Sequence, residues 1–208
     1  MPLPAHASAP LESEYSALRA RLASVSVGII GLGGLGSNAA WMLLRAGVGT
    51  LVLAEYDVVD ESNLNRQFYF ADQVGRLKSE ACEENLRRIT PDARLEVFNE
   101  RVTEENLPEM FAGADLIIEA VDTARDKAMI LAVCSDALPG VPVVSASGLA
   151  GYGSANEIVT RHLIGDLWMV GDLVSGSSDH PLFASRVTVA AAHQAHMAIR
   201  ILLGYPDA

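Results

Sequence analysis

The 208-residue sequence has only two cysteines, Cys82 and Cys134, and no C-x-x-C pair. Two distant thiols provide neither a disulfide framework nor the ligand spacing of a structural zinc site, so no zinc is expected. Positive charge is also scarce, with 15 Lys and Arg against 26 Asp and Glu and a formal net charge of −11. That deficit argues against nucleic acid or an anionic membrane as the main partner. No apolar run approaches the roughly 20 residues that a membrane-spanning helix needs. The opening "MPLPAHASAP" lacks the basic start and apolar centre of a signal peptide, so a soluble, cytoplasmic protein is expected.

Half of the residues are hydrophobic, enough to build one good core. After the Pro/Ala/Ser-rich tail, "LESEYSALRARL" places Leu11, Tyr15, Leu18 and Leu22 at helical spacing. This predicts an amphipathic helix lying against the main domain or a partner subunit. Tail and helix together occupy 1–24, and 25–208 reads as a single domain.

Within that domain, apolar runs alternate with helical patterns. "VSVGIIG", "TLVLAEYD", "ARLEVFNERV", "ADLIIEAVD" and "VPVVSASG" read as strands; 37–46, 72–89, "EENLPEMFAG" and 124–138 read as helices. Continuously apolar strands separated by helices predict an α/β fold with a doubly wound, mainly parallel, Rossmann-like sheet and helices on both faces. After Gly153 the pattern changes: "NEIVTRHLI" alternates like an exposed strand, "GDLVSGSSDHP" reads as a loop, and an Ala-rich helix ends at Gly204. A C-terminal strand–helix extension is therefore expected.

The turn between the first strand and its helix, "GLGGLG", matches G-x-G-x-x-G with Gly31, Gly33 and Gly36, and Gly34 at an x position. Glycines allow a tight turn and close backbone approach to phosphate, and the helix N-terminus favours negative charge. Glu55 and Asp57, at the end of the second strand, stand where an acid can accept hydrogen bonds from ribose hydroxyls. This much fits a nicotinamide-dependent oxidoreductase as well as an ATP-using enzyme.

The next segment separates them. Asn63, Asn65, Arg66 and Gln67 cluster just past the ribose position, and Lys78 follows 12 residues after Arg66. A dinucleotide's pyrophosphate is already met by the glycine loop, so further cations suggest further phosphates. Asp122 lies at the carboxyl end of the fourth strand, the ligand-binding edge of open α/β sheets, and is suited to hold magnesium shared with phosphates. Asp122 or Thr123 also fits the N-cap of the following helix.

"GLGGLGSNAAWMLLRAGVGTLVLAEYD", "SNLNRQ", "GRLKSEA" and "VDTARDK" resemble, in order and spacing, the ThiF/MoeB/HesA adenylyltransferases, relatives of the adenylation domain of ubiquitin-activating enzymes. The resemblance runs from about Val25 to Ile164, and the later "ASGLAGYGSANEIVTR" is similar to the short ThiF branch associated with thiamine thiazole synthesis. It implies ATP-dependent activation of a small β-grasp sulfur carrier, ThiS-like and ending in Gly-Gly, with pyrophosphate released. By that resemblance Gly31, Gly33, Gly34 and Gly36 would hold the nucleotide and Glu55 its ribose, and Asp57 and Gln67 are candidate nucleotide-binding residues beside them. Asn63, Arg66 and Lys78 would grip the phosphates, and Asp122 would bind magnesium or organise the reaction centre. It also implies a symmetric homodimer and a separate sulfur-donor protein. The sequence departs from the family pattern at three positions: Glu55 and Lys127 replace Asp and Arg, and Thr123 replaces Asn. A tRNA-modifying dehydratase of the same superfamily and a non-catalytic binding module are the competing readings, alongside the oxidoreductase. Cys82 and Cys134 fall within expected helices, where a buried, inert thiol is the default, so chemistry is expected to stop at the adenylate.

Overall fold

The computed structural model describes residues 11–207. The chain runs α1 (Leu11–Leu22), β1 (Ser26–Ile30), α2 (Gly36–Ala46), β2 (Thr50–Ala54), α3 (Lys78–Ile89), β3 (Arg94–Phe98), α4 (Leu107–Met110), β4 (Leu116–Glu119) and α5 (Ala124–Ala137). It continues through β5 (Val143–Ala146), β6 (Val159–Ile164), β7 (Leu167–Gly171) and α6 (Ala184–Leu202). Seven strands form one sheet in the order β3-β2-β1-β4-β5-β7-β6, all parallel except β6. The doubly wound α/β architecture expected from the alternation is present.

The central strands β1, β2, β4 and β5 are apolar almost throughout because both sides of the sheet are covered there, while the edge strands β3 and β6 carry charged residues. Val27, Ile29, Leu51, Leu53, Leu116 and Ile118 face a core shared with α2, α3 and α6. Their in-between neighbours Ile30, Val52, Ala54 and Ile117 face α4 and α5. This is the two-residue period of a strand, with both phases buried.

Three expected elements differ in detail from the structure. The C-terminal extension holds two strands: β6 turns at Gly165, in a left-handed conformation, into β7, which inserts between β5 and β6. The expected helix over 72–89 starts only at Lys78, because Gly75 is left-handed and Val58 bridges Leu77. α1 forms as expected, but Tyr15 is 59% exposed and, among the described side chains of this helix, Leu22 alone is buried in the core. The expected tail over 1–10 lies outside the described residues. No helix among the described residues is long and apolar enough to cross a membrane.

Candidate functional site

The sheet order reverses between β1 and β4, and that switch point is where an open α/β sheet has its ligand crevice. Two glycines bring the chain to it. Gly31, at φ +90°, sits so close to the end of β4 that a Cβ there would lie 2.9 Å from the Ala120 carbonyl oxygen. A Cβ on Gly36, the first residue of α2, would strike the Gly31 carbonyl oxygen at 1.9 Å. The turn therefore tolerates no side chain at either end. Among the described residues no side chain caps α2; the Ser37 amide donates to the Gly33 carbonyl at 3.1 Å, and the helix N-terminus keeps the partial positive charge that favours an anion.

A cavity of about 480 Å³ opens here, within the range of small-molecule sites. Gly31, Gly33, Gly34, Glu55, Asp57, Arg66, Gln67, Lys78 and Asp122 all line it. Gly36 does not, since its role is the steric one just described. Asn63 also lies outside the lining: its side-chain oxygen accepts from the Asp60 amide at 3.1 Å, capping a short 3₁₀ turn.

Glu55 is buried, and its carboxylate accepts three backbone amides: Leu32 at 2.9 Å, Tyr56 at 2.8 Å and Asp57 at 3.0 Å. It thus ties the glycine loop to the end of β2, with lone pairs to spare for a ligand hydroxyl. Asp57 makes a different contact. Its Oδ2 lies 3.1 Å from Nζ of Lys78, whose side chain is only 8% exposed.

Arg66 is held from the neighbouring helix. The side chain of Asn38 donates to the Arg66 carbonyl at 3.0 Å, and Ser37 Oγ accepts from the Phe68 amide at 3.0 Å. Tyr69 completes the anchoring by donating its hydroxyl to the Leu32 carbonyl at 2.7 Å. Burial first, then nearby Cys82 and Glu55, pushes that hydroxyl well above the usual tyrosine range. The Arg66 guanidinium donates to the Ser62 carbonyl at 3.0 Å and Asn65 Oδ1 at 2.6 Å, so its hydrogen-bond partners among the described residues are neutral. Beside it, Gln67 Oε1 is buried without a partner among the described residues.

Asp122 stands exposed across the crevice, three residues beyond β4, with no hydrogen bond or ion pair among the described residues. Thr123 takes the N-cap of α5, accepting from the Asp126 amide at 3.1 Å. Asp122 is thereby left free to face a ligand. A single open carboxylate fits a magnesium ion whose remaining ligands are water and phosphate oxygens. Among the described residues no group of three or more His, Cys, Asp and Glu stands ready to hold a metal by itself.

Three further arrangements escaped the sequence reading. Arg101 reaches both oxygens of Asp126, at 3.0 and 2.9 Å, across one end of the cavity. Lys127 donates to the fully buried carboxylate of Glu119, which also accepts from Ser145 Oγ at 2.5 Å. The loops after β5 and β7, which supply Ser147–Ala150 and Ser175–Ser178 to the opposite wall, are tied by Asp172 and Arg186. None of these pairs has a local spacing signal, because each joins segments brought together only by the sheet.

Both thiols are buried. Burial, with the Glu55 and Glu83 carboxylates, pushes Cys82 up to about 12. Burial and Glu119 push Cys134 to about 11. His193, on α6, is lowered by burial and by His196, and contacts Thr160 at 3.1 Å, away from the cavity.

The ThiF family model matches residues 11–208. The chain belongs to the ThiF family. Among relatives in that family, the sulfur carrier protein ThiS adenylyltransferase of Escherichia coli strain K12 is 38% identical over 141 residues, covering 67% of this chain and 55% of the relative. The tRNA threonylcarbamoyladenosine dehydratase of the same organism is 36% identical over 143 residues, covering 68% and 53%. A SAMP-activating enzyme E1 of Haloferax volcanii is 36% identical over 140 residues, covering 67% and 51%. The chain thus spans about half the length of these three relatives. In fold, it is similar to the crystal structure of the E. coli dehydratase in complex with AMP, with a TM-score of 0.82, 23% identity, and coverage of 90% of this chain and 89% of that one.

Proposed function

We propose that the cavity binds ATP and that the chain adenylates the C-terminal glycine carboxylate of a small ThiS-like sulfur carrier protein, as a step of thiamine thiazole synthesis. The observation that carries this reading is the placement of Arg66 and Lys78 beside the glycine loop, with the unpaired Asp122 opposite, all lining one cavity. Two cations beyond the loop suit a triphosphate better than the pyrophosphate of a dinucleotide.

The chemistry follows from charge. A carboxylate oxygen attacks the α-phosphorus, a new P–O bond forms, and the bond to the bridging oxygen breaks to release pyrophosphate. No general base is needed, because a carboxylate is already ionised at neutral pH. The barrier lies in bringing an anion to a polyanion. Arg66 and Lys78 offset the charge that gathers on the leaving pyrophosphate, and the glycine-loop amides hold the nucleotide in line. Magnesium, held by Asp122 and phosphate oxygens, would supply further charge neutralisation.

The Gly-Gly tail of the carrier would enter along the wall formed by Ser147–Ala150 and Ser175–Ser178, whose residues apart from Leu149 are Gly, Ala and Ser and leave room for close backbone approach. The buried thiols argue for an acyl adenylate as end product, with sulfur supplied by another protein. A cytoplasmic homodimer, with exposed faces of α1 and α6 at its interface, completes the proposal.

One competing reading has a specific observation behind it. The E. coli tRNA dehydratase is matched nearly as well in sequence as the ThiS adenylyltransferase, and its fold overlays on nine-tenths of this chain. The net charge of −11 disfavours a tRNA substrate. Pyrophosphate release from ATP and magnesium decides between them: the proposal requires release that depends on a ThiS-like carrier. Release that depends instead on threonylcarbamoyladenosine-bearing tRNA would install the dehydratase reading.

A further inference from the structure

The cavity's cations are almost all paired before any ligand arrives. Lys78 has Asp57, Arg101 has Asp126, and Lys127 has Glu119, while Arg66 donates to neutral acceptors. Of the three paired cations, Lys78 is the one beside the glycine loop and the most deeply buried, with a side chain 8% exposed against 54% for its partner Asp57.

The position of Lys78 does not depend on the Asp57 carboxylate. Backbone contacts zip the two segments together: the Lys78 amide donates to the Asp57 carbonyl at 2.8 Å, Val59 donates to Arg76 at 2.8 Å, and Gly75 donates to Val59 at 2.8 Å. Val58 and Leu77 add an antiparallel bridge. The Asp57 amide itself is held by Glu55. With the lysine stem packed and both backbones fixed, the carboxylate at 3.1 Å contributes charge rather than placement.

A negative charge there has one direct consequence. Any phosphate that approaches the Lys78 ammonium must share it with, or displace, a carboxylate already in contact. A ribose hydroxyl has a better acceptor in Glu55, which is buried and fixed by three amides. We infer that Asp57 is not a ribose ligand but a counter-ion that competes with polyphosphate for Lys78, limiting how tightly ATP and pyrophosphate are held. After the α–β bond of ATP breaks, Asp57 reclaims the ammonium and loosens the site's grip on pyrophosphate. This rests on the nucleotide part of the proposed function and is independent of which carboxylate is activated.

The test is calorimetric binding of Mg-ATP, inorganic pyrophosphate and AMP to the wild type, Asp57→Asn, Lys78→Met and the double variant. Asp57→Asn is expected to bind ATP and pyrophosphate about fivefold more tightly, the scale of one screened charge at this distance, with AMP unchanged. In the Lys78→Met background the same substitution is expected to change ATP binding by less than about twofold, since the contested ammonium is gone. Loss of AMP affinity in parallel with ATP would make Asp57 a ribose ligand and overturn the inference. Unchanged or weaker ATP binding in Asp57→Asn, or tightening that persists without Lys78, would overturn it too. A wild type that binds none of the three removes both the inference and the nucleotide reading; a wild type that binds ATP, with a variant that binds no more tightly, removes the inference alone.

Discussion

Asp172 and Arg186 meet at 2.7 Å beneath the two loops that form the far wall of the cavity. Arg186 is 4% exposed and also donates to the carbonyls of Gly153 at 2.7 Å and Ser154 at 2.6 Å. Asp172 accepts in addition from the amides of Val174 and Ser175, both at 2.8 Å, and from the Ser175 hydroxyl at 2.7 Å. This ion pair, together with backbone bonds such as the Asp172 amide to the Gly148 carbonyl at 2.8 Å, holds together the loops through which a carboxylate substrate would reach the nucleotide.

Removing Asp172 leaves the buried Arg186 guanidinium with only the exposed Glu157, at 3.7 Å, as an ion partner. Asp172→Asn is expected to destabilise the fold by about 3 kcal/mol, read from urea unfolding at neutral pH. Burial alone would raise the Asp172 carboxyl, but its hydrogen bonds from Ser175 and Val174, followed by Arg186, outweigh it and hold it well below the usual carboxylate range. A group lowered in the folded state contributes stability above its unfolded value of about 4 and loses it as pH falls towards the folded value. The wild type should therefore lose this contribution between about pH 4 and the acid extreme, and Asp172→Asn should lack that portion of the acid sensitivity.

Arg66 donates to neutral acceptors and faces the cavity, so its charge is available to the outer phosphates. Arg66→Ala is expected to lower carrier-dependent ATP–pyrophosphate exchange about a hundredfold while changing AMP affinity little. Equal losses for ATP, ADP and AMP would place Arg66 away from the outer phosphates.

Asp122 is exposed, and the helix it precedes is capped by Thr123. Asp122→Ala should therefore abolish carrier-dependent exchange and leave the unfolding midpoint unchanged. Near-normal exchange would reject its assigned role at the reaction centre.

Cys82 and Cys134 are raised to about 12 and about 11 by burial and neighbouring carboxylates. At pH 7.5, roughly, both are thiols, and iodoacetamide should label the native protein on the order of a hundredfold more slowly than the unfolded chain. Fast native labelling that blocked carrier transfer but spared adenylation would reinstate a thioester step.

The sheet was legible in the sequence because its central strands are buried on both faces and so are apolar without interruption, as in Leu51–Ala54 and Leu116–Ile118. The glycine turn was legible because the residues that permit it are adjacent in the chain. β7 was not, since "LWMVG" follows β6 after only the Gly165–Asp166 turn, without the helix that sets the other apolar runs apart. Asn63 has the composition of a phosphate ligand, yet its oxygen is used within three residues of itself, and only the local fold reveals that. The pairings of Lys78 with Asp57, Lys127 with Glu119 and Arg186 with Asp172 join different elements, so no spacing could announce them.

The most direct test uses ATP labelled at the α-phosphate, magnesium and a ThiS-like carrier ending in Gly-Gly. The account predicts that the label moves onto the carrier in wild-type reactions, with one pyrophosphate released per carrier, and that Asp122→Ala transfers none. A carrier that stays unlabelled while the protein hydrolyses ATP, or binds it without turnover, would contradict it.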